Sequence, residues 1–124
     1  MKKQELLNKL EKFTPRSAWR RAVVSDAVDL VDSLPCSEIP NNWEELKKLL
    51  LNGASDWSAY SYGGGTLIYN EDIAQHYCTP SELRKVTHQD GTISERANAR
   101  ENWLDVQARA LYQAARLIKK QAGL

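Results

Sequence analysis

Apolar residues recur along the first third of the chain at spacings of three and four, the period of a helix with one buried face. Leu6, Leu10 and Phe13 share such a face with Leu7 beside them, so residues 2–13 read as a short amphipathic helix. Thr14 then suits an N-cap, and Pro15 the first position of a second helix, where no N–H donor is needed. That helix runs to about Leu34, with Trp19, Val23, Ala27, Leu30 and Leu34 as its apolar set and Ala22 and Val31 widening the stripe. Its charges oppose the helix dipole: Arg16, Arg20 and Arg21 stand at the start, Asp26, Asp29 and Asp32 towards the end. Partners from elsewhere in the fold, or from another molecule, are expected to hold that order.

Pro35 and Pro40 make the next stretch a connector, since neither fits a helix interior. Asn41 and Glu44 have capping-box spacing and predict a third helix whose buried face is Trp43, Leu46, Leu49 and Leu50, stopping at Gly53 after Asn52. Ser55 or Asp56 would cap one further turn containing Trp57 and Tyr60. Residues 61–65 end in three glycines, too costly in backbone entropy for regular structure. Thr66 to Tyr69 is the extended run. Asn70 caps a helix through Tyr77, Thr79-Pro80 opens another through Val86, and Asp90-Gly91 marks a polar turn.

The last helix has the clearest pattern. Asn98 and Glu101 form its capping pair, and neither Gly nor Pro follows until Gly123. Leu104, Ala108, Leu111, Ala115, Ile118 and Ala122 step by four and three, with Trp103, Ala110, Ala114 and Leu117 as a second row. About 24 residues at 1.5 Å each span roughly 35 Å, the width of a small domain. The expectation is one all-α domain over residues 1–124: five to six helices packed around a long C-terminal helix, with at most one very short β-pairing near 66–69.

Composition narrows the class. The 124 residues are 42% hydrophobic and 27% charged, a globular profile, and a formal net charge of +1 supplies no global field for nucleic acid or an acidic membrane. No run of about 18 apolar residues occurs, so no membrane span is expected. The charged opening MKKQELLNKLEKF lacks the apolar region of a signal peptide. Two cysteines, Cys36 and Cys78, are too few for a disulfide framework and fit a reducing compartment, so a cytoplasmic location is expected.

Candidate chemistry is sparse. Gly63-Gly64-Gly65 lacks the Lys-Ser or Lys-Thr of a phosphate loop, and reads as a turn. Asp72, His76 and Cys78 do not complete a zinc set, with only His88 and Cys36 to add, so no metal or other cofactor is expected. No nucleophile–base pair stands out, and the chain is expected not to be an enzyme. Aromatic residues are concentrated instead: six of ten lie between positions 43 and 77, a stretch with five acids and two lysines, net −3. Rigid rings beside a glycine turn suit protein recognition. Asp56, Trp57, Tyr60, Tyr62 and Tyr69 are therefore the candidate contacts for a protein partner. Any self-association is expected to form a homodimer through the C-terminal helix.

Asp72 to Val86 is similar to a helix-turn-helix, with Ile73, Ala74 and Tyr77, a break at Cys78-Thr79, then Leu83. The turn carries Cys78 where that family usually has Gly, and Leu83 falls one place early. The resemblance implies the alternative of DNA binding through residues 70–88, with Ser81, Arg84 and Lys85 reading and Arg96 and Arg100 in support. Glu82 would face phosphates, and no basic stripe accompanies it, so nucleic acid is not the favoured partner. A wider resemblance rests on Ala54-Ser55-Asp56-Trp57-Ser58, Tyr60-Ser61-Tyr62-Gly63-Gly64, Leu67-Ile68-Tyr69, Asp72-Ile73-Ala74, Cys78-Thr79-Pro80-Ser81-Glu82-Leu83 and Trp103-Leu104-Asp105-Val106-Gln107-Ala108-Arg109-Ala110-Leu111-Tyr112-Gln113-Ala114. Spanning roughly residues 43–115, it resembles small uncharacterised proteins encoded by phages and conjugative elements of gut Firmicutes. It implies an accessory role in such an element and brings no catalytic or binding residue with it.

Overall fold

The computed structural model describes residues 1–63 and 97–124, with the backbone alone at 18–19, 62–63, 97–104 and 106. The fold is all-α. Five helices lie in the described residues: α1 (Lys3–Glu11), α2 (Ala18–Asp32), α3 (Trp43–Leu51), α4 (Trp57–Gly63) and α5 (Ala97–Gln121). Among those residues there is no strand, only an isolated antiparallel bridge between Lys2 and Glu38. The extended run at 66–69 and the helices expected over 70–77 and 79–86 lie outside the described residues.

The C-terminal helix is the hub, packing against α2, α4 and α1. Ala108, Ala110, Leu111, Ala114, Ala115 and Ile118 are all buried, which is what stepping by three and four along one face requires. The four alanines let neighbouring backbones approach closely, while Leu111 and Ile118 fill the space between them. From the other helices, Leu6, Leu7 and Leu10, then Val23, Ala27, Leu30 and Val31, then Leu46, Leu50 and Leu51 join the same core, and Ile39 seals it from the connector. Beyond α5, Gly123 takes a left-handed φ of 74°. Its N–H donates to the Lys120 carbonyl and that of Leu124 to the Lys119 carbonyl, the paired bonds of a Schellman stop.

The structure supplies a partner for the acidic end of α2. Lys3 Nζ donates to the carbonyl oxygens of Asp32 and Leu34, each at 2.9 Å, so a cation from α1 sits where the helix dipole wants one. The N-terminal segment is held by Lys3 N–H on the Ser37 carbonyl and Ile39 N–H on the Met1 carbonyl. At the other end of α2, the Arg21 guanidinium donates to the Arg16 carbonyl.

Several boundaries differ from the sequence expectation. The second helix begins at Ala18 with Ser17 as its N-cap, so Thr14 and Pro15 belong to the connector. The chain uses residues 12–17 to turn between the packed faces of α1 and α2, and that docking rather than the Thr-Pro pair sets the start of the helix. The cap of α3 is Asn42, whose Oδ1 accepts from Glu45 N–H at 3.2 Å, one place later than Asn41 and Glu44. Leu49 is 38% exposed while Leu51 is buried. The chain reverses at Asn52 (φ 47°) and Gly53 (φ 89°), which brings Leu51 into the cluster that also holds Trp57. The fifth helix starts at Ala97, placing Asn98 and Glu101 inside it rather than at a cap. Ser61, Tyr62 and Gly63, expected to be irregular, are the last residues of α4. Docking on α5 offsets the helix-breaking tendency of that sequence, and the buried Ser61 hydroxyl donates to the Trp57 carbonyl at 2.9 Å.

Candidate functional site

The aromatic segment enters the fold through α4. Asp56 caps it: Oδ1 accepts from Ala59 N–H at 2.8 Å, which makes this exposed carboxylate a local structural group before it is anything else. Trp57 is 1% exposed. Its ring is core and does not serve as a contact surface, a correction to the sequence reading. The reason is helical phase: Trp57 and Ser61 lie one turn apart on the face of α4 that is buried, and α4 packs on α5. Tyr60 stands off that face, half-buried, with its ring 6.1 Å from the Trp57 ring at 67°, an edge-on contact that fixes its orientation. The Tyr62 side chain, Tyr69, Ser81, Arg84, Lys85, Arg96 and the Arg100 side chain lie outside the described residues, as does the whole helix-turn-helix-like stretch.

Tyr60 forms a wall of two clefts. One, of about 570 Å³, is lined with Leu51, Asn52, Gly53, Ala54, Ser55 and Ala59 at the turn between α3 and α4. The other, of about 180 Å³, lies where α2, α4 and α5 meet, and takes Asp26, Asp29 and Ser33 from α2 and Gln107 from α5 over a floor of Leu30 and Leu111. A separate apolar groove of about 360 Å³ runs along Phe13, Pro15, Val23, Val24 and Leu117, with Arg20 and Arg116 at its edge.

The smaller cleft has unusual electrostatics. Asp26 Oδ2 and Gln107 Oε1 are buried and have no hydrogen-bond partner among the described residues. Burial, and secondarily the neighbouring Asp29 carboxylate, raise the Asp26 pKa to about 6. None of the described lining residues is basic. The Ser33 hydroxyl donates to the Asp29 carbonyl at 2.7 Å, so its proton is already engaged. Two buried acceptors without a partner among the described residues therefore belong to residues that line this cleft.

Asp26 and Gln107 were not among the residues the sequence singled out as contacts. A signal for them exists. Asp26 sits three after Val23 and four before Leu30, and Gln107 three after Leu104 and four before Leu111, so each is a polar residue on an apolar stripe. Among the described residues no group of three or more His, Cys, Asp or Glu is placed to hold a metal ion, and no helix is long and apolar enough to cross a membrane. Comparison with protein-family models, with curated proteins and with solved structures gives no match.

Proposed function

We propose that this chain is a non-enzymatic interaction protein that holds a protein partner at the junction of α2, α4 and α5. The observation that carries the reading is the position of Tyr60. Its ring is half-buried, braced by Trp57, and shared by two clefts, so a partner entering either one touches it. A ring immobilised before binding gives contact area at little further entropy cost, which is why tyrosines dominate such surfaces. Of the aromatic, acidic segment, Tyr60 is the contact ring and Asp56 and Trp57 are its support. The resemblance across roughly residues 43–115 supports an accessory role in a mobile genetic element, with the partner being a protein of the host or of the element.

A photocrosslinking experiment tests this. With p-benzoylphenylalanine placed at position 60, irradiation in a bacterial host should yield a discrete crosslinked protein. The same group at position 112, an exposed ring that lines none of these clefts, should not yield it. Tyr60→Ala should weaken the complex by ~1–3 kcal/mol and leave the helical signal intact. No specific product from position 60, or equal products from both positions, removes the reading.

A further inference from the structure

We infer that the groove between α2, α5 and the connector after α1 binds one single-chain anionic amphiphile, a medium-chain alkyl carboxylate. Its hydrocarbon lies along Phe13, Val23, Val24 and Leu117, and its carboxylate accepts from the Arg116 guanidinium. The groove shares no described lining residue with the two clefts at Tyr60, so this inference goes beyond the interaction reading and does not depend on it.

Three observations lead there. The first is apolar surface. Phe13 has the helical phase of Leu6 and Leu10 in the sequence, yet it falls beyond the end of α1 and is 41% exposed. It lines the groove with Pro15, Val23, Val24 and Leu117, and a hydrocarbon laid against them removes that surface from water. The second is charge. Residues 12–25 hold Lys12, Arg16, Arg20 and Arg21, and residues 106–124 hold Arg109, Arg116, Lys119 and Lys120, with no acid in either stretch. Both stretches line the groove, in a chain whose net charge is only +1, so the acids lie elsewhere along it and an anion is favoured here. Lys119 stands over the Trp43 ring at 5.6 Å, and Arg20 and Arg109 have interactions of their own. Arg116, exposed and in the lining, is therefore the residue assigned to the anion. The third is arrangement. The polar members of the lining, Arg20, Gln113 and Arg116, are exposed, whereas Val23 is buried and Val24 and Leu117 are half-buried. An apolar interior with a cationic edge is complementary to a hydrocarbon body with one anionic end.

Size and chemistry choose among anions. At about 360 Å³ the groove is at the lower end of the roughly 300–1,000 Å³ of small-molecule pockets, which suits one alkyl chain rather than a two-chain lipid. The planar guanidinium presents paired donors that match the two oxygens of a carboxylate, a match that a neutral head group lacks. An extended acidic peptide fits less well. Its backbone N–H groups need acceptors, and Gln113 is the one acceptor side chain in the described lining. An alkyl chain requires nothing of the lining but contact.

The test is a titration of the methyl-labelled protein with butanoate, hexanoate and octanoate near neutral pH, followed by nuclear magnetic resonance. Octanamide, the neutral isostere of octanoate, is titrated in parallel. Saturable shifts at the Val23, Val24 and Leu117 methyls are expected. Affinity should rise about two- to fourfold for each added methylene, fourfold corresponding to full burial. Octanoate should bind about three- to tenfold more tightly than octanamide, and Arg116→Gln should abolish that difference while keeping the fold, since Arg116 is exposed. Octanamide equal to octanoate, no gain with chain length, or octanoate affinity unchanged in Arg116→Gln overturns the proposal. Other occupants give their own results, and each of these overturns it. Shifts of the same methyls on raising the protein concentration alone would assign the groove to a second copy. Shifts with a thymidine oligonucleotide but not with octanoate would assign it to nucleic acid. Co-sedimentation with phosphatidylglycerol vesicles, with no response to monomeric octanoate, would assign it to a membrane surface.

Discussion

Replacing Asp26 by Asn is expected to stabilise the protein above neutrality and to leave its stability unchanged in acid. Asp26 holds its proton more tightly when folded, with a pKa of about 6 against an ordinary 3.8, because burial and then Asp29 disfavour its charge. Between those two values the folded state binds more protons than the unfolded state, so stability falls as pH rises through that window. Below about pH 4 both states are protonated and the penalty is absent; above about pH 6 it is fully present. The gap, at about 1.4 kcal/mol per pH unit, sets a ceiling of ~3 kcal/mol, and the partial solvent access of Asp26 lowers it to ~1–3 kcal/mol. For a chain of this length that is a melting temperature higher by roughly 3–10 °C. Asn keeps the shape and removes the charge. Paired denaturant unfolding curves of the two proteins, followed by far-UV circular dichroism at steps between pH ~4 and ~8, measure the difference directly. It should be near zero at the acid end and grow across the window to a plateau. A difference that stays constant with pH, or an Asn variant less stable at pH ~7.5, would refute the placement of Asp26 in a dry, uncompensated site.

The remaining expectations concern the frame that positions the cleft. Leu111→Ala should cost ~2–5 kcal/mol and Trp57→Ala ~3–5 kcal/mol in the same assay, because both are buried in the core. Cys36→Ser, half-buried in the proline-bounded connector, should cost less than either; equal losses would show that the core is misplaced. Lys3→Met keeps the aliphatic stem and removes two bonds to the carbonyls ending α2, so a loss of ~1–2 kcal/mol is expected. Thermal unfolding indistinguishable from the parent would mean those carbonyls are satisfied by water. Asn42→Ala should cost ~1 kcal/mol and Asn41→Ala almost nothing, which separates the observed cap of α3 from its neighbour.

The sequence by itself determined the class and the hub. An apolar stripe from Ala108 to Ile118 with no break commits α5 to one face, and the burial of Ala108, Leu111, Ala115 and Ile118 follows from periodicity alone, while Leu117 at its edge is only partly buried. It also showed, in the reversed charge order of α2, that a partner was needed at the helix end, without showing that Lys3 of α1 supplies it. That is a contact over 29 residues of sequence, which no local pattern encodes. The cap of α3 slipped by one residue to Asn42 because adjacent asparagines have nearly equal capping strength, whereas α2 starts after Ser17 without any side-chain cap bond, so packing set that boundary. Trp57 and Tyr60 looked alike in the sequence, as two rings before a run of glycines. Only the docking of α4 on α5 decided that one turns into the core and the other remains half-exposed beside it. The cleft shows the same division most clearly. Asp26 and Gln107 are 81 positions apart in a chain whose helices could pack in more than one register. The two residues line one small cleft only because α2 and α5 cross where they do. Local composition sets which faces are buried; the crossing of those faces sets which polar residues line the same cleft.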